Sequence, residues 1–72
     1  MRVTHDRETD SAYIHLTDET LSPGRRSIPL EPPAVPTLVV LDFKEDRLVG
    51  VEVHGASRHL SADFLAGAAG EG

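Results

Sequence analysis

The chain has no cysteine. A disulfide, a thiolate zinc site and a thiol nucleophile are therefore excluded, and a reducing compartment fits. No apolar run approaches the roughly 18 residues that a membrane-spanning helix needs. The opening MRVTHDRETD lacks the apolar core of a secretory signal. These absences lead us to expect a cytoplasmic protein with no membrane contact. Basic residues are scarce: 7 Lys plus Arg stand against 12 Asp plus Glu, with no basic run longer than Arg25-Arg26. Non-specific nucleic-acid binding rests on neutralising phosphates, so a nucleic-acid role is not expected. An acidic surface suits a small basic protein partner instead. Gly-rich phosphate loops and serine nucleophile elbows are also missing. At 72 residues the chain makes one domain and buries only a modest fraction of its surface.

What is present is organised around residues 38–57, LVVLDFKEDRLVGVEVHGAS, where two apolar runs flank one charged break. This is the pattern of a β-hairpin. The break Lys44-Glu45-Asp46-Arg47 holds no Gly for a primed two-residue turn, so a four-residue loop built on a type I turn is expected. That hairpin pairs Phe43 with Leu48, Leu41 with Gly50, Val40 with Val51 and Leu38 with Val53. Leu38, Val40, Val49, Val51 and Val53 then share a core face. Val39, Leu41, Phe43 and Leu48 share the opposite face with Glu52. A strand apolar on both sides expects cover on both, and a short chain has little to offer for the second.

Upstream, residues 1–17 read as a second hairpin. Val3 and His5 alternate on one strand, Ala12, Ile14 and Leu16 on the other, with a polar turn between. All five prolines lie between Pro23 and Pro36. Ser27-Ile28 suits a brief edge strand, and residues 29–36 suit an extended, polyproline-like connector. Downstream, Gly55-Ala56 turns the chain. Residues 60–67 suit one short helix with Ser61 as N-cap, and residues 68–72 suit a flexible tail.

The stretch Asp10-Ser11-Ala12-Tyr13-Ile14-His15-Leu16, followed by Val40-Leu41-Asp42-Phe43, Leu48-Val49-Gly50-Val51-Glu52-Val53 and Ala56-Ser57, resembles the small bacterial proteins grouped as DUF2283. The resemblance runs over about Met1 to Leu60. It implies a compact β-rich domain. It also implies an antitoxin or partner role, because some members are thought to be encoded beside small toxin-like proteins. It brings no catalytic residues with it. The Pro-rich middle is longer here than the family's usual form, and His5 stands where an aromatic or aliphatic residue is expected.

Few constellations carry chemistry. Asp6-x-Glu8-x-Asp10 opens like a calcium loop, but Ser11 and Thr17 stand where Gly and Glu are required. His5, His15, His54 and His59 are the available metal ligands, and no His-x-His or His-Glu-x-x-His spacing joins them, so neither metal nor other cofactor is expected. Asp42 lies near the hairpin turn on the Val40 face, where burial would let it act with Tyr13 or His54.

The sequence thus leads to a mainly β (α+β) domain over residues 1–67: a small antiparallel sheet of two hairpins plus one short C-terminal helix. The expected function is a non-enzymatic protein-interaction module, antitoxin-like, that forms a homodimer through Val39, Leu41, Phe43 and Leu48. The alternative is a homo-oligomeric enzyme or ligand-binding protein with a His/Asp pocket between subunits. A deep pocket holding a His and a carboxylate within about 3 Å of each other would favour the alternative.

Overall fold

The computed structural model describes residues 1–21 and 23–71, with 70 and 71 described by backbone alone. Its core is one six-stranded sheet. The strands are β1 (Arg2–Asp6), β2 (Ser11–His15), β3 (Arg26–Leu30), β4 (Val39–Lys44), β5 (Arg47–His54) and β6 (Ala69–Glu71). They lie in the order β3-β4-β5-β2-β1-β6. Every pairing is antiparallel except β1 with β6. Two short helices, α1 (Ala56–His59) and α2 (Ala62–Ala66), connect β5 to β6. No helix among the described residues is long and apolar enough to cross a membrane.

Both expected hairpins form. In the first, Asp6 shapes the turn by accepting from the backbone N–H of Glu8 at 3.0 Å and, more loosely, of Thr9 at 3.4 Å. In the second, Phe43 pairs with Leu48 as expected, but the loop and the remaining register do not follow the sequence reading. Lys44 pairs with Arg47, which leaves only Glu45 and Asp46 in the loop. Both adopt positive φ, 53° and 63°, the left-handed conformation of a primed turn without its usual glycine. The ladder then shifts: Asp42 lies opposite Gly50, Leu41 opposite Val51, Val40 opposite Glu52 and Val39 opposite Val53. Val49 is the extra residue of a β-bulge.

That one-residue slip redistributes the side chains, because the pleat has a period of two. Val51 and Val53 join Val39, Leu41, Phe43 and Leu48 on a single apolar face. Val40 shares the other face with Asp42, Gly50 and Glu52. The hairpin is therefore apolar on one side, not on both. Across β2 the same alternation puts Ala12 and Ile14 on the apolar face, and Ser11, Tyr13 and His15 on the polar one.

The expected edge strand appears as β3 and extends through Pro29 and Leu30. Pro29 is tolerated because β3 is an edge strand, where a missing donor need not interrupt the ladder. Beyond it the chain turns rather than extending as polyproline: residues 32–37 are turn and bend, with Ala34 N–H donating to Glu31 O at 3.1 Å. Thr37 then donates to His54 O at 2.6 Å, fixing the entry into β4.

Two helices replace the single one expected. Gly55, at φ 64°, makes the sharp turn out of β5 and α1 follows at once. In α2 Ser61 is the N-cap, its side chain accepting from Phe64 N–H at 3.2 Å. A parallel strand needs a crossover, and residues 55–68 supply it. Residues 68–72 were expected as a flexible tail; Ala69–Glu71 runs beside β1 as β6, and Gly72 lies outside the described residues. The crossover passes over the apolar face. Ala12 and Ala56 are 0 % exposed and Val53 is 7 % exposed, whereas the polar face of β1, β2 and β5 is open.

Candidate functional site

Polar side chains from four strands meet on that open face. The bulge places Gly50 between Tyr13 on β2 and Asp42 on β4. With no side chain at residue 50, the Tyr13 ring lies across β5 and its hydroxyl reaches Asp42. A β-carbon at position 50 would overlap the phenol, its Cε2 included at 2.8 Å. Tyr13 Oη–H donates to Asp42 Oδ2 at 2.6 Å, and Ser27 Oγ–H on β3 donates to Asp42 Oδ1 at 2.6 Å. Arg25 Nη1 lies 3.8 Å from Oδ2. Asp42 is 3 % exposed. A buried carboxylate is costly unless it is paired and hydrogen-bonded. Two short charge-assisted hydroxyl bonds and a nearby guanidinium meet that need and join β2, β3 and β4 through one side chain. Burial, and then donation to the Asp42 carboxylate, push the Tyr13 phenol up to about 12.

A second cluster lies toward the other end of the face. Ser11 and His54 are directly opposed on β2 and β5. Ser11 Oγ is 3.4 Å from His54 Nδ1, and His54 Nε2 is 3.0 Å from Glu52 Oε1. These residues line an open cleft of about 600 Å³ together with Thr4, Thr9 and Tyr13. A shallower hollow of about 330 Å³ shares Thr4, Tyr13 and Glu52 and is bounded by His15 and Arg25.

A third cluster anchors the crossover. Asp10 accepts from His5 Nε2 at 2.9 Å, from Ser57 Oγ at 2.7 Å and from Ser57 N–H at 3.1 and 3.2 Å. The Ser57 hydroxyl, followed by His5, holds its carboxyl below the usual aspartate range. Asp10 O also accepts from Ala56 N–H at 2.9 Å.

Of the candidates read from the sequence, the structure brings Asp42 and Tyr13 together. His54 belongs to a different cluster and bonds Glu52 and Ser11. His5 and His15 face opposite sides of the sheet. No group of three or more His, Asp or Glu side chains among the described residues could hold a metal ion. Asp6 and Asp10 of the calcium-like spacing serve the turn and the crossover. Sequence reasoning missed Ser11, Glu52, Ser27, Arg25 and Asp10 as members of these clusters. Glu52-x-His54 was legible as a same-face pair on a strand; Ser11 opposite His54 depends on which strands become neighbours.

No curated protein and no solved structure gave a significant match to this chain. A family model described as a protein of unknown function, DUF2283, matches residues 2–57. This span runs from β1 to the start of α1 and holds all three clusters, and by it the chain belongs to the DUF2283 family.

Proposed function

We propose that this protein is a small interaction module that works as a homodimer joined through the apolar sheet face. The observation that carries the reading is the exposure left on that face. Val39, Leu41, Phe43 and Leu48 are on it with Val51 and Ile28. Leu48 and Ile28 remain 41 % and 39 % exposed, and no large side chain is fully buried among the described residues. The total surface is 4830 Å²; a compact chain of this mass should expose roughly 4,400 Å². The Pro-rich segment leaves Leu48 and Ile28 exposed, and its own residues 31–34 and 36 are exposed as well. A second copy is the occupant that fits, because a two-fold pairing lets the same patch cover itself and closes the assembly. The opposite, polar face then stays available for a small basic partner, which the chain's net charge of −5 would attract. This is the antitoxin-like arrangement in the cytoplasm that we infer from the family resemblance and the cysteine-free composition.

Light scattering of the unmodified protein at micromolar concentration tests the dimer. The expected mass is twice the 7.8 kDa of the chain; the mass of a single chain refutes it.

A further inference from the structure

The cleft on the polar face contains the parts of a nucleophilic centre, and the dimer proposed above neither requires nor blocks it. An ionised carboxylate has no hydrogen to donate, so in the His54–Glu52 contact at 3.0 Å the imidazole Nε2 carries the proton. In the neutral ring Nδ1 is then the lone-pair nitrogen. It faces Ser11 Oγ at 3.4 Å. That separation is loose, as nucleophile–base pairs often are in an unliganded site. The order is hydroxyl, imidazole base, orienting carboxylate, which is the logic of a serine hydrolase built on a sheet rather than on a nucleophile elbow. Thr4 and Thr9, whose hydroxyls can donate to a developing oxyanion, line the same cleft of about 600 Å³, as does Asp6, whose Oδ1 accepts from the backbone N–H of Glu8 and Thr9.

We infer that Ser11, His54 and Glu52 form a nucleophilic centre that cleaves small acyl esters. Ser11 Oγ forms a bond to the acyl carbon while its proton passes to His54 Nδ1. The tetrahedral adduct collapses, the ester C–O bond breaks, and the leaving alkoxide takes that proton from His54. Water then gives a proton to His54 and attacks the acyl-serine. Ser11 leaves and recovers the proton, releasing the carboxylic acid. Ser11 and His54 are the catalytic residues. Glu52 is a positioning residue that fixes the tautomer.

The test uses the full chain with two probes. A fluorophosphonate should attach covalently at Ser11, displacing fluoride, and peptide mass spectrometry locates it. Hydrolysis of p-nitrophenyl acetate should be abolished by Ser11→Ala and lowered roughly 100-fold by His54→Gln. Glu52→Gln should lower kcat and leave KM unchanged, with Glu52→Asp recovering part of the loss. Circular dichroism reports whether each variant keeps its sheet. A further variant does not depend on finding a good ester. Ser11→Cys introduces the chain's single thiol, and its alkylation by iodoacetamide should be slowed when His54→Gln is added. No labelling, labelling at another serine, or an alkylation rate indifferent to His54 each overturns the assignment.

Discussion

Tyr13 is the chain's one tyrosine, so the ultraviolet absorbance of its phenolate reports on the Asp42 cluster alone. Its pKa is raised from an ordinary 10.0 to about 12 in the folded protein. The fold therefore favours the neutral phenol. The stability it contributes is present in full below pH 10 and is lost as the pH rises from there through about 12. An alkaline titration of the native protein should show the phenolate appearing near pH 12 rather than 10. In Asp42→Asn the midpoint should move part of the way back, because burial is the larger cause and survives the substitution. A midpoint at the ordinary tyrosine value in the unmodified protein would mean that Tyr13 does not lie across β5. Gly50 tests the same contact from below. In Gly50→Ala the new methyl must displace the ring, which strips a hydrogen bond from a buried carboxylate. The expected loss is about 1–3 kcal/mol, read from urea denaturation. A neutral effect would show that the ring does not need the space.

At the scale of elements, the second hairpin carries a local conflict. Glu45 and Asp46 occupy a two-residue turn with φ of 53° and 63°, a conformation that side chains with a β-carbon resist. Replacing them by Asn-Gly should stabilise the protein by about 1 kcal/mol without changing the register. Loss of stability on that replacement would point to a different turn. The same hairpin shows where sequence reasoning reaches and where it stops. Its position was legible because β-branched residues crowd both runs, and the Phe43–Leu48 pair next to the turn was read correctly. Gly50 within the strand was the one local sign of a bulge or of room for a neighbour's side chain, and the structure has both. That the slip falls at Val49 and that the neighbour is Tyr13 were not legible, because Tyr13, Asp42 and Gly50 meet from three strands. The Ser61 cap was legible from its own neighbours. β6 was not, since an Ala- and Gly-rich segment has no alternation of its own and depends on β1 for its pairing. The site divides in the same way: Asp42 with Tyr13 was visible as a candidate pair, while Ser11 with His54 needed the order of strands.

At the scale of the molecule, the bulge makes self-association a one-sided question. Before the slip is known, the hairpin demands cover on both faces. After it, the crossover covers part of the single apolar face, and Leu41, Phe43, Leu48 and Ile28 remain partly exposed on the rest. Full burial of such side chains is worth roughly 1.5–3 kcal/mol each relative to full exposure, and a second copy would recover the part still facing water. Each copy also carries a net charge of −5, so the two repel, and added salt should tighten the dimer by screening. Leu41→Glu places a carboxylate in the middle of the patch. A penalty of about 3 kcal/mol would weaken association more than a hundredfold, enough to leave single chains at micromolar concentration. Val40→Lys is the matched control. It lies one residue back on β4, on the polar face directly opposite Glu52, where a lysine meets an opposite charge and stays clear of the apolar patch. Sedimentation should therefore find the mass halved in Leu41→Glu and unchanged in Val40→Lys. Dissociation by both variants would locate the contact elsewhere, and dissociation by neither would remove the apolar face from the interface.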